Sequence, residues 1–400
     1  MKVMFINLVV DYGSTGKVVR ELADGLKAKG HEVLIAYGRK QAKNDINTFN
    51  MSDSIGFYSH LLMTRLFDRH GLHSTSATKK LINKIIQFQP DVIHLHTLHG
   101  YYLNYPILMD YLKKNSNIKV VWTLHDLWAI SGSVAHFSYY GCKIWDEGCV
   151  IANNPRIYPK SSLFLREEKN FNLKKASFLG FKDLTIVTVS DWQKSLVEKS
   201  FLNAYPIVRI YNGIDFDKYG NINHIYKEEN TIFGASSDWN EEKNLKDFIK
   251  LAKILPTKYK ITLAGLSKSQ IKSLPSNIKG ITRIFDETSL IKLYAKSSVF
   301  LNLSLQETMG LTTVEALASG TPVVVYDQTA VPEIIDETVG EVVKAGDIEG
   351  LLKAIEKVIE RNIAPKVCYE FAKARYNVKR MVSDYEKLFL TQRKTLRPLK

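Results

Sequence analysis

The sequence predicts an α/β protein of two domains, each a parallel sheet covered by helices. Three observations predict it. The chain has 400 residues, more than the ~250–300 that one hydrophobic core usually serves. Its apolar runs are short, apolar on both faces and separated by stretches of helical period, the pattern of buried parallel strands with helical crossovers. That alternation occurs twice, in two series separated by the polar, irregular segment 212–230.

In the first series, residues 3–10 read as a buried strand followed by a Gly-bearing turn. A helix at 16–29 carries Val18, Val19, Leu22 and Leu26 on one face, and Gly30 stops it. Strands follow at 33–37, 91–95, 119–124, 184–189 and 208–211. The second series has strands at 231–235, 259–264, 299–303 and 322–326, with helices at 244–255, 289–295, 313–319 and 347–360. A last helix is expected near 378–390. The domains are expected to span 1–218, joined by 378–400, and 219–377. Open α/β sheets bind ligands at the carboxyl ends of their strands. If those ends face each other, a cleft lies between the domains.

Composition narrows the partners. Hydrophobic residues make up 45% and charged residues 24%, which excludes general disorder. The net charge of +14 points to phosphates, anionic lipid or nucleic acid. The basic residues are dispersed and form no nucleic-acid module, so nucleic acid is not expected. Cys142, Cys149 and Cys368 are too few for a disulfide framework. No second Cys or His pair follows at ligand spacing, so free thiols are expected rather than zinc. The apolar start contains Asn7 and reaches Asp11 without a small-residue cleavage site, which fits a strand better than a signal peptide. No apolar run approaches the ~18 residues of a membrane span. A cytoplasmic protein, at most lying on the inner face of the membrane, is expected.

The segment Ser304-Leu-Gln-Glu307-Thr-Met-Gly310-Leu-Thr-Thr-Val-Glu315-Ala-Leu-Ala-Ser-Gly320-Thr-Pro322 selects a chemistry. A strand ends at Ser304, a Gly-bearing turn follows and a helix opens near Thr312. Pro322 prevents its continuation past Gly320. The amides of Met309, Gly310 and Leu311 then point out of a positively polarised helix end suited to a diphosphate. Glu307 lies in the turn, where a carboxylate can accept bonds from sugar hydroxyls. Thr312-x-x-Glu315 also reads as a capping box, which would make Glu315 structural.

The stretch from Glu307 to Pro322 resembles the signature of retaining glycosyltransferases of family 4: Glu, seven residues, Glu, an Ala-rich turn and Gly-x-Pro. The order of elements is similar across nearly the whole chain. The resemblance implies the GT-B fold, two Rossmann-like domains with parallel sheets facing an interdomain cleft. It implies transfer of a sugar from a nucleotide diphosphate-sugar, a UDP-sugar favoured, to a glycan or lipid-linked saccharide. It implies retention of configuration and no metal or other cofactor. Glu307 would contact the transferred sugar, and Glu315 the ribose. Thr308 and the amides of Met309, Gly310 and Leu311 would hold sugar and diphosphate.

Other segments fit. Gly13-Ser14-Thr15-Gly16 is similar to the family's Gly-rich loop facing the donor phosphates, although it is neither a dinucleotide fingerprint nor a P-loop. In Thr123-Leu-His125-Asp126 the resemblance gives His125 a sugar contact; alone it reads as a satisfied turn histidine. Asn212-Gly213-Ile214-Asp215 resembles the family's Asn-Gly-x-Asp, and Asp215-Phe-Asp217 reads as a turn rather than a metal motif. The family's Arg after the first strand of the second domain is missing. Lys243 is left to grip the diphosphate, with the helix N-terminus and Ser236 and Ser237 of that stretch helping.

Two segments, 57–88 and 158–182, mix apolar residues (Phe57, Leu61, Leu62, Leu66, Phe67; Leu163, Phe164, Leu165) with lysines and arginines. Either could rest on an anionic membrane or be an ordinary surface helix. Rival functions are a nucleotide-sugar epimerase of the same fold and a catalytically weak relative that binds glycan or anionic lipid. The first would act without an acceptor, and the missing Arg keeps the second open.

Overall fold

The computed structural model of the protein describes residues 1–42, 46–136, 164, 166–220, 227–284 and 286–391. The expectations for Cys142 and Cys149, for most of 158–165 and for the tail after 391 lie outside the described residues.

Two compact units emerge, Met1–Ile210 with Lys379–Lys400, and Tyr211–Val378. The division precedes the expected one because the segment after Tyr211 is zipped to the strand-like exit of the second unit. The Ile214 amide donates to the Tyr376 carbonyl at 2.8 Å, and Val378 donates back to Ile214 at 2.9 Å. Gly213 makes this approach feasible, since a Cβ there would lie 2.6 Å from the Val378 Cα.

The first unit holds seven strands: β1 (Lys2–Asn7), β2 (Glu32–Tyr37), β3 (Thr48–Asn50), β4 (Val92–Leu95), β5 (Lys119–Leu124), β6 (Leu184–Thr188) and β7 (Ile207–Arg209). All pair in parallel, in the order β3-β2-β1-β4-β5-β6-β7. The final helix, Val378–Leu390, returns to this sheet. Its Tyr385 hydroxyl shares a 2.8 Å bond with Thr123, and Val382 packs against Gly25 of the helix Gly13–Ala28.

The second unit holds β8 (Thr231–Ala235), β9 (Lys260–Ala264), β10 (Ile278–Ile281), β11 (Val299–Asn302), β12 (Val323–Tyr326) and β13 (Gly340–Val343). They too are parallel, in the order β10-β9-β8-β11-β12-β13. β11 and β12 are buried along their whole length, as the apolar runs require. Both sheets share one topology: the chain builds outward from the first strand to one edge, then crosses back to build toward the other. Strand order reverses between β1 and β4 and between β8 and β11. At such a switch point the loops after the two strands part and leave a crevice.

Candidate active site

The sequence-predicted residues of the second unit gather at its switch point. Lys243 lies in the connection after β8 and Glu307 in the turn after β11. The Leu305 amide donates to the Glu242 carbonyl at 2.7 Å, which ties the two loops together. The Lys243 ammonium forms an ion pair with the Glu307 carboxylate. The Ser304 hydroxyl donates to the same carboxylate at 3.2 Å, and the Glu307 amide donates to Thr329 Oγ1 at 2.9 Å. Both ionic side chains are half-buried, 23% exposed for Lys243 and 17% for Glu307. The two charges neutralise each other.

The helix behind this pair is Leu311–Ala318, and it opens two residues earlier than its sequence suggests. Gly310, at φ 86°, is its N-cap, with no side-chain cap and no acidic residue in the first turn. The left-handed backbone of Gly310 turns the chain from Met309, whose side chain is 2% exposed, into the helix. Asn302 fixes the turn, accepting from the Ser304 amide at 3.1 Å and donating to Thr313 Oγ1 at 2.9 Å. Because Thr312 is inside the helix, the capping box does not form. Glu315 instead accepts a 3.1 Å bond from the Tyr294 hydroxyl. Burial, reinforced by the Glu315 charge, holds that phenol well above its usual pKa, so it stays a donor. Glu315 sits one turn above Leu311 on the same helical face, and Thr308 sits beside Glu307 in the turn.

Ser236 is placed differently. Its hydroxyl donates to the Asp238 carbonyl at 2.8 Å, so it shapes the loop after β8. Asp215 likewise caps a short turn through the Asp217 amide at 3.1 Å.

In the first unit, residues 13–16 form the first turn of the helix Gly13–Ala28 rather than a loop before it. The chain turns instead at Asp11, at φ 64°. Gly13 and Ser14 are exposed, Thr15 is half-buried and Gly16 is buried. A Cβ on Gly16 would lie 3.2 Å from Val9 Cγ2, a tight approach that glycine avoids where the helix starts close to the end of β1. No acidic residue and no side-chain cap occupies that helix start either.

His125 follows β5, and its Nε2 lies 2.9 Å from His96 Nδ1, with the rings stacked. Burial pushes the His125 imidazole down to about 4; the Asp126 charge opposes that shift and His99 adds to it. Near neutral pH it is therefore an uncharged dipole. Burial alone would raise the Asp126 carboxyl, but His99, at 2.6 Å, and the Trp128 amide hold it below the usual carboxylate range. His96, His99 and Asp126 were not singled out from the sequence. The run His94-x-His96-x-x-His99, which begins inside β4 and continues past its end, was the available signal.

Residues 15–218 match the model of Glycosyltransferase Family 4, and residues 216–375 match Glycosyl transferases group 1. The chain belongs to Glycosyltransferase Family 4 and is a glycosyltransferase. It is 24% identical over 346 residues to WcaC of Escherichia coli (strain K12), named for a glycosyl transferase of colanic acid biosynthesis, with 82% of each chain covered. The sucrose-phosphate synthase of Thermosynechococcus elongatus superposes with a TM-score of 0.71 at 15% identity, covering 97% of this chain and 98% of that one. Anabaena HepE in complex with UDP-glucose gives a TM-score of 0.65 at 16% identity over 97% and 99% of the two chains. These likenesses establish the GT-B fold.

Proposed function

We propose that the chain transfers a hexose from a UDP-sugar to a glycan or lipid-linked saccharide, with retention of anomeric configuration and without a metal. The observation that carries this reading is the meeting of Lys243, Glu307 and an uncapped helix start at one switch point. On donor binding, Lys243 leaves Glu307 for the diphosphate, and Glu307 turns to the sugar hydroxyls. The amides of Met309, Gly310 and Leu311 stabilise the departing phosphate, and Glu315 binds the ribose. In this reading the start of the helix Gly13–Ala28 contacts the donor phosphates, and neutral His125 contacts the sugar as a dipole. The acceptor hydroxyl then attacks the anomeric carbon from the leaving-group face. The carbon–oxygen bond to the β-phosphate breaks, its electron pair stays with UDP, and the acceptor proton passes to the departing phosphate oxygen. The bound UDP-glucose of HepE and the polysaccharide naming of WcaC support donor and acceptor classes.

The test is release of nucleoside diphosphate from a panel of UDP-, GDP- and ADP-sugars, with and without saccharide acceptors and with EDTA. UDP-sugar turnover that needs an acceptor and survives EDTA is expected. A new sugar formed without acceptor would establish the epimerase instead.

One structural observation favours contact with an anionic membrane. In the helix Ser54–Phe67 only His60 and Thr64 are buried, whereas Ile55, Tyr58 and Leu62 are 84%, 68% and 56% exposed. The fully buried positions are polar and three large apolar or aromatic side chains stand exposed, with Arg65 and Arg69 nearby. Among the described residues no helix is long and apolar enough to cross a membrane. Salt-sensitive sedimentation with phosphatidylglycerol vesicles is expected; equal binding to neutral vesicles would contradict it.

A further inference from the structure

A cavity of about 210 Å³ opens in the first unit, beside the start of the helix Ser54–Phe67. It lies past the carboxyl ends of β2, β3 and β4, because its walls include Arg39 and Lys40 after β2, Asp53 after β3 and Tyr101 after β4. This is the end of the sheet at which open α/β folds bind ligands.

Its chemistry is cationic and aromatic. The Arg39 guanidinium lies over the Phe57 ring, 4.8 Å from the centroid, and the Lys40 ammonium over the Tyr12 ring at 4.4 Å. Among the described residues neither cation is paired with a carboxylate. The ring contacts restrict both side chains without cancelling their charge. Asp53 is committed elsewhere, since its Oδ1 accepts from the Gly56 amide at 3.2 Å as the cap of the helix Ser54–Phe67. Tyr58, on the rim and 68% exposed, offers a ring face to the C–H face of a sugar.

The backbone is held in place. The amides of Gly38 and Arg39 both donate to the Leu8 carbonyl, at 3.1 and 2.9 Å. Three lining residues that are not glycine, Lys40, Ser74 and Tyr101, have left-handed backbones at φ 61°, 61° and 70°. A left-handed backbone is strained for a residue with a side chain, and strain of this kind gathers at ligand clamps.

We propose that this cavity is an acceptor subsite for a sugar ring bearing an anionic group, carboxylate or phosphate, held by Arg39 and Lys40 against Tyr58. This rests on the reading that the acceptor is a saccharide. It adds that the acceptor is acidic, and assigns the residues that read its charge.

The experiment is calorimetric titration of the full chain with methyl β-glucuronide, glucose 1-phosphate, neutral methyl β-glucoside and inorganic phosphate. At least one anionic sugar is expected to bind tenfold or more tightly than the neutral glucoside and than inorganic phosphate; which one it is separates carboxylate from phosphate. In the double variant Arg39→Ala/Lys40→Ala that preference disappears, while the stabilisation produced by UDP stays as in the parent. Both side chains are exposed, so the variant is expected to melt normally, and Tyr58→Ala is expected to weaken the same probe. Equal binding of charged and neutral sugars, inorganic phosphate as tight as the anionic sugars, or a preference that survives the double variant would each overturn the proposal. Retained UDP stabilisation in those cases leaves the transferase reading standing, whereas its absence in the parent chain removes that reading first.

Discussion

Lys243 and Glu307 sit 64 residues apart in sequence yet share one ion pair, and in the proposed reaction each abandons the other for the donor. Their replacements should therefore fail differently. Glu307→Gln is expected to fold normally and lose 100-fold or more in turnover, the scale on which removing one charge-stabilising group acts. Lys243→Ala is expected to weaken UDP binding by about 10–100-fold, the ~1.5–3 kcal/mol of a charge-assisted bond, because no Arg stands beside it. Kinetics and UDP thermal shift separate the two, and a Lys243 variant with parental UDP affinity would contradict this role. The sequence singled out Glu307 by its position in the turn after a strand and by the resemblance, and Lys243 by the resemblance, and the structure brings the two side chains together. The sequence left Glu315 ambiguous, because a capping box and a ligand contact share one pattern; Gly310 as N-cap removes the capping box. Nothing in the sequence around Ser236 disclosed its local bond to Asp238.

Elements were legible where burial dominates their composition. β11 and β12 are apolar on both faces and came through clearly. β3, β10 and β13 did not, being short edge or near-edge strands with exposed residues and glycine in Ile278–Ile281 and Gly340–Val343. The Gly-rich start of the first long helix read as loop because glycine is a poor helix former; its first turn is the part where that cost is smallest. One contact between elements was invisible in sequence. A Cβ on Gly25 would lie 2.4 Å from Val382 Cγ2, so the final helix docks only against a bare glycine. Gly25→Ala is expected to cost about 1–3 kcal/mol through overpacking, and adding Val382→Ala should recover part of it. Equal melting of Gly25→Ala and the parent would refute the tight docking.

At the scale of the molecule, acid sensitivity should reside in the first unit. Burial holds His70, His94 and His96 well below their usual pKa, His125 near 4 and His60 near 3. The unfolded chain takes up these protons around pH 6.5, whereas the folded chain resists them. Stability is thus fully present above about 6.5 and falls as pH drops towards 4 and below, by up to about 1.4 kcal/mol per pH unit for each histidine. Among the described residues every such histidine belongs to the first unit. Calorimetry between pH 7 and 5 is expected to show a transition of that unit moving down while the other holds; two equally insensitive transitions would contradict it.

The central claim is that a nucleotide diphosphate docks on the start of the helix Leu311–Ala318. Hydrogen–deuterium exchange with and without UDP reads those amides directly. Protection concentrated in residues 305–315 and around Lys243 is the predicted result. Saturating UDP that leaves this segment unchanged, with protection elsewhere, would contradict the account.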